Sequence, residues 1–217
     1  MKSILLIGWL WLTFSLFSSY NVSAQDFSGV ITYEITYTGS GVTESLKYTL
    51  PSTLYLTIKG NKARFDMGAW GKWVIDGDAR KTITFLYTSE NIAVISTAED
   101  ISKALEKEPK TRTYVTSETR DILGYTCKKA IIVIMGEDKE LTAYYTPEIG
   151  SAALHFDNNL YRSINGMMLE YEEPYEQGGY SMHYKAISIE KKDVDDSQFT
   201  IPEDYKIMTP EEVKEMY

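Results

Sequence analysis

The chain has 217 residues and carries 22 Lys and Arg against 31 Asp and Glu, a net charge of −9. Nucleic-acid phosphates are met by basic surfaces, so this balance argues against a nucleic-acid partner and supplies no polybasic membrane patch. Cys127 is the only cysteine, which rules out an intramolecular disulfide and every thiolate zinc cluster.

Residues 1–24 read as a secretory signal peptide. Lys2 gives the positive start, Ile4 to Phe17 is an apolar run broken by Gly8, Thr13 and Ser15, and Val22-Ser23-Ala24 places small residues at the cleavage positions. The run is about 14 residues, short of the roughly 20 that span a hydrocarbon core, so a retained anchor is the weaker reading. The mature chain is expected to begin at Gln25. A lipoprotein would carry cysteine there, so no lipid is expected at that point. Residues 25–217 are read as one domain of the exported protein, in the periplasm or outside the cell.

Alternation with period two, the mark of a half-buried strand, dominates the chain after residue 25. Phe27, Gly29, Ile31, Tyr33, Ile35 and Tyr37 fall on one face of a first strand, and Ser28, Thr32, Glu34, Thr36 and Thr38 on the other. Gly39-Ser40-Gly41 breaks this run, and Leu46, Tyr48 and Leu50 resume the alternation up to Pro51. Leu54, Leu56 and Ile58 lead into Gly60-Asn61, a turn pair that tolerates positive φ, and Ala63, Phe65 and Met67 lead out of it as a hairpin. Strands are expected at Lys72 to Ile75, at Ile83, Phe85 and Tyr87, and at Ile92 to Ile95. Their roughly 10-residue spacing fits an antiparallel meander, because parallel pairs need a crossover.

Thr97 and Asp100 form a capping pair for a short helix over Glu99 to Lys107, with Ile101, Ala104 and Leu105 on one stripe and Pro109 beyond the end. Further strands are expected at Tyr114 to Glu118, Cys127 to Met135, Leu141 to Tyr145, Met167 to Tyr171 and Tyr180 to Ile189. Ile149 to Ile164 reads as partly helical. Thr209-Pro210-Glu211-Glu212 opens a final helix with a cap, an N1 proline and a capping-box Glu. Seventeen tyrosines agree with a sheet, whose pleated surface suits them.

Residues able to carry chemistry are scarce. His155 and His183 lie apart with no His-Glu-x-x-His helix, and both read as surface or rim histidines. Cys127 reads as a small buried apolar residue in a strand. Gly179-Tyr180-Ser181-Met182-His183 lacks the closing glycine and following helix of a nucleophile elbow. Asp76-x-Asp78 and Asp193-x-Asp195-Asp196 lack the twelve-residue calcium loop and are explained by turn chemistry. Glu170, Glu172 and Glu173 read as a solvated strand end. No catalytic residue, metal site or cofactor is expected, and the chain is read as non-enzymatic. Trp70 and Trp73 sit in a glycine-rich bend, where they form either the lip of a hydrophobic pocket or core plugs.

The segment Asp121-Ile122-Leu123-Gly124-Tyr125-Thr126-Cys127-Lys128-Lys129-Ala130, with Tyr144-Tyr145-Thr146-Pro147-Glu148 after it, resembles exported bacterial proteins of a DUF4412-like family. The ending Phe199 to Met208 is similar too. The Lys59 to Arg64 hairpin and the Ile75-Asp76-Gly77 turn resemble those of the outer-membrane lipoprotein carrier, or LolA-like, group. These matches extend over most of residues 27 to 208, and none is a catalytic motif. The resemblance implies an α+β, mainly β fold: one curved antiparallel sheet, a half-barrel, with a few short helices on its concave side and room for acyl chains or other apolar ligands. Lipoprotein transfer itself is not carried over.

Two function classes remain. The first is a soluble periplasmic carrier or binding protein for a lipid or other hydrophobic ligand, with Phe27, Ile31, Tyr33, Ile35, Phe65, Trp70, Trp73, Phe85 and Tyr87 as the expected cavity lining. The second is a protein-interaction or sensing module of the same fold without a ligand cavity, which would meet an envelope protein partner through a sheet edge or the acidic surface.

Overall fold

A computed structural model describes residues 27–87 and 90–216, with Tyr87 by its backbone alone. The expected signal peptide and Gln25 lie outside the described residues. The central strand is β1 (Ser28–Thr38), flanked on one side by β2 (Thr53–Lys59) and on the other by β11 (Tyr180–Lys191). From β2 the chain meanders outward through β3 (Lys62–Asp66), β4 (Lys72–Asp76), β5 (Lys81–Tyr87) and β6 (Asn91–Ser96). A second meander, β7 (Thr111–Ile122), β8 (Tyr125–Ile134), β9 (Glu140–Thr146) and β10 (Met167–Tyr175), returns from the far edge to β11. The result is one 12-stranded sheet in the order β12-β6-β5-β4-β3-β2-β1-β11-β10-β9-β8-β7. Among the described strands every pairing is antiparallel except that of β12 (Lys206–Met208), which runs parallel to β6.

Register shifts between Thr32 and Tyr33 in β1, between Met168 and Glu170 in β10 and between Val115 and Thr119 in β7 bend the strands locally, as bulges do. The sheet is thus open and curved, in agreement with the expected class. Its concave face carries the main core. Ile31, Tyr33 and Ile35 of β1, Leu54, Leu56 and Ile58 of β2, and Ile132 and Leu141 of β8 and β9 are all buried there. Cys127 joins them, fully buried, and burial pushes its thiol up to about 11.

Among the described residues three α-helices accompany the sheet. In α2 (Ala98–Leu105) the Thr97 side chain accepts from the Asp100 amide while the Asp100 carboxylate accepts from the Thr97 amide. Its Ile101 and Leu105 pack on the concave core. The equivalent box opens α3 (Pro210–Lys214), and Val213 packs against Ile92, Val94 and Met208. The third, α1 (Glu44–Lys47), corrects the strand expected through Leu46, Tyr48 and Leu50. Thr43 caps it by accepting from the Leu46 amide, and no residue of the helix is buried. With no strand neighbour to pair with, a local cap outweighed a three-residue alternation.

Residues 147–166 fold back over the concave face, helical only in a 3-10 turn at Ala152–His155. Ile149, Leu154, Phe156, Tyr161 and Ile164 anchor this segment in the core. Two close approaches hold it down. The Ser151 hydroxyl donates to Asn61 Oδ1 at 2.8 Å, in the β2–β3 turn. A Cβ at Gly77 would stand 2.5 Å from the Ala153 carbonyl oxygen, so the segment touches the β4–β5 turn where only glycine fits. Gly77→Ala is expected to lose about 1–2 kcal/mol through overpacking. A urea midpoint that does not move would refute this contact.

Candidate functional site

Between this covering segment and the sheet lies a cavity of about 380 Å³. Leu54, Leu56, Phe65, Trp73 and Ile75 form its floor on β2, β3 and β4. Met167, Met168 and Tyr171 of β10 and Met182 and Tyr184 of β11 form one wall. Leu154, His155, Asp157, Asn158, Asn159 and Leu160 close it from above. Phe65 and Trp73, opposite each other in the β3–β4 register, stack with centroids 4.8 Å apart. Tyr171 stacks on Tyr184 at 4.7 Å and meets Tyr33 and Tyr161 edge-on at 6.1 and 5.6 Å. Tyr33 and Tyr161, outside the lining, brace the wall at Tyr171.

A wider cleft of about 670 Å³ opens beside the cavity, between α2 and the covering segment. Ile101, Leu105, Ala153 and Phe156 line it together with Arg80, Lys110 and Arg162, and it shares Glu108 and Asn159 with the inner cavity. Asn159 ties the two sides together. Its amide donates to the Pro109 carbonyl, and its own backbone carbonyl accepts from Thr111 Oγ1 at 2.9 Å.

The inner cavity also holds polar groups that the sequence did not reveal as such. Glu173 Oε1 accepts from Asn158 Nδ2 at 3.1 Å. Burial, then the nearby Asp157 carboxylate, push Glu173 up to about 7 against the opposing hydrogen bond from Asn158. Burial likewise pushes Asp157 up to about 6. The expected solvated strand end is therefore corrected at Glu173, which is half-buried and lines the cavity together with Pro174 and the covering segment. Glu170, in contrast, pairs with Arg120 at 2.6 Å on the opposite face of the sheet.

His155 is corrected in the same way. It is buried rather than at a rim, with Nε2 2.7 Å from the Gly166 carbonyl oxygen, and burial lowers its pKa. A carbonyl only accepts, so Nε2 carries the proton of a neutral ring. That carbonyl is placed by Gly166 at φ 142°, where a Cβ would lie 2.2 Å from the Thr146 oxygen. His183, with its ring 3.6 Å from Glu170, belongs to the polar opposite face.

The residues expected to line a cavity fall in several places. Phe65 and Trp73 line it. Phe27, Ile31, Tyr33 and Ile35 are buried in the concave core but lie outside the lining. Trp70 is 50% exposed in the β3–β4 turn, beyond the end of the sheet, where its indole N–H donates to the Thr49 carbonyl. Phe85 points to the convex face. There it packs with Val74, Ile83 and Ala93 beneath Val194, Phe199 and Tyr205 of the C-terminal segment. Phe85 pairs with Lys72, not with Trp73, and this register inverts the face assumed for it. The Tyr87 side chain lies outside the described residues.

Among the described residues no group of three His, Cys, Asp or Glu is placed to hold a metal ion. No helix among them is long and apolar enough to cross a membrane.

Comparison with solved structures finds PNGF-II similar at 18% identity and a TM-score of 0.51, over 88% of this chain and 32% of that one. The chain thus spans about a third of the length of PNGF-II. An uncharacterized conserved protein from Thermus thermophilus is similar at 11% identity and a TM-score of 0.44, over 84% of this chain and 88% of that one. A LolA superfamily protein from Nitrosomonas europaea is similar at 12% identity and a TM-score of 0.32, over 82% and 91%. Likeness at such identities concerns the fold alone. No family model matches the sequence, and no curated protein matches it.

Proposed function

We propose that this chain is an exported, non-enzymatic binding or carrier protein for a lipid or other hydrophobic ligand, in a DUF4412-like and LolA-like setting. The carrying observation is the cavity of about 380 Å³ whose floor is Leu54, Leu56, Phe65, Trp73 and Ile75. Apolar clefts of roughly 300–1,000 Å³ with a few convergent polar groups are the usual form of small-molecule sites. The adjoining cleft of about 670 Å³ supplies the entrance.

The test is native mass spectrometry of protein purified from cells, combined with the fluorescence of a lipophilic dye. A co-purifying mass removed by organic extraction, and dye enhancement that Leu56→Trp reduces at least tenfold, are expected. No bound mass and no enhancement in the unsubstituted protein would sink the reading.

One observation favours the second reading, an interaction module. Strand β7 is a 12-residue sheet edge bonded on one side only, with Tyr114 and Val115 about half exposed. Such an edge is a template for an added strand.

A further inference from the structure

The half-buried carboxyl groups of Glu173 and Asp157, both in the lining of the inner cavity, stand out because, among the described residues, no cation pairs with them. Neither takes part in the described ion pairs, and Glu173 has only the Asn158 amide at 3.1 Å. Asp157 has only its own backbone N–H. Arg80, Lys110 and Arg162 are in the outer cleft, and the inner cavity is lined by neither lysine nor arginine. Elsewhere this chain does pair its half-buried acids, as Asp66 with Lys72 at 3.0 Å and Glu170 with Arg120 at 2.6 Å.

Enclosing an unpaired carboxylate is costly, and a second one nearby adds repulsion. A cation arriving from outside would relieve both. Around the two acids the walls are aromatic, with Trp73, Tyr171 and Tyr184 bordering the same space. Carboxylates beside aromatic rings form the chemistry that recognises organic ammonium groups, through charge-assisted hydrogen bonds and cation–π attraction. The apolar floor then takes the hydrocarbon part.

We propose that the inner cavity binds a hydrophobic organic amine, its ammonium head between Glu173 and Asp157 and its hydrocarbon on Leu54, Leu56 and Phe65. This rests on the apolar-ligand reading above and names the ligand class. The other ionisable groups bordering the space are neutral His155, Tyr171, Tyr184 and, at the entrance, Glu108, so no cation of the cavity lining competes for the position.

Three probes of equal chain length separate the possibilities: decylamine, decanol and decanoate, each below its micelle concentration, displacing a lipophilic dye at pH 8. Both acids are ionised at that pH, since they are pushed up only to about 7 and 6. Decylamine is expected to bind at least tenfold more tightly than decanol, and decanoate the weakest. Asp157→Asn with Glu173→Gln is expected to abolish the preference while decanol affinity is retained and the thermal midpoint is not lowered. Equal binding of decylamine and decanol by the unsubstituted protein, or a preference that survives both substitutions, would overturn the proposal while leaving the apolar-ligand reading intact. Failure of all three probes would overturn both.

Discussion

Tyr33→Ala is expected to cost about 3–5 kcal/mol of unfolding free energy, as truncation of a large buried aromatic does. Tyr33 is fully buried at the centre of β1, in the middle of the sheet order, so its neighbours are rigid strands with little room to collapse. Its hydroxyl donates to the Met168 carbonyl at 2.7 Å, and its ring meets Tyr171 edge-on. Truncation therefore empties the space behind the cavity wall and leaves the carbonyl without this donor. Tyr33→Phe isolates the second effect and is expected to cost about 1–2 kcal/mol. Urea unfolding measures both, read as a lower midpoint at constant slope. A loss below about 1 kcal/mol for the alanine variant would contradict the packing described. Because Tyr171 lines the inner cavity and leans on Tyr33, the phenylalanine variant is also expected to weaken dye binding.

How much of this was legible in the sequence depended on the range of the interactions involved. Strand β1 was legible because Ile31, Tyr33 and Ile35 alternate with polar residues, and the β2–β3 hairpin because Gly60-Asn61 is a local turn signal. The capping boxes at Thr97 and Thr209 were equally local and formed as expected. Faces across strands were harder. Alternation fixes the two sides of one strand, but the phase between strands is set by pairing register, and that register put Phe85 on the convex side while keeping Phe65 with Trp73. The parallel pairing of β12 with β6 joins segments more than a hundred residues apart and had no local signature. Glu173 was least legible of all. In sequence it is one acid among Glu170, Glu172 and Glu173; alternation puts it on the face of Tyr171, and only the distant covering segment, with Asp157 and Asn158, makes that face a cavity wall instead of a solvated surface.

The same enclosure predicts that Glu173→Gln stabilises the protein at pH 8. Glu173 titrates near 7 in the fold, above the ordinary value of 4.5. Below about pH 4 the carboxyl is protonated in both folded and unfolded chains and costs nothing. As pH rises from about 4 to about 7 the unfolded chain releases its proton first, so stability falls across that window and stays low above it. The full displacement would correspond to about 3 kcal/mol. Part of it is repulsion from Asp157 and part is softened where the cavity admits water, which leaves an expected gain of about 2 kcal/mol at pH 8, or roughly 4–8 °C in thermal midpoint. At pH 4 the variant and the parent should melt alike, since the amide oxygen introduced by Glu173→Gln can still accept from Asn158. An equal gain at both pH values would mean that the substitution acts through packing rather than charge. Expected in the same experiment is a second effect: decylamine should raise the midpoint of the parent at pH 8 more than that of the variant, since a bound ammonium removes the cost that the substitution also removes. Two acids that weaken the empty fold at neutral pH, with no cation in the cavity lining to offset them, are the kind of cost that a binding site retains for its ligand.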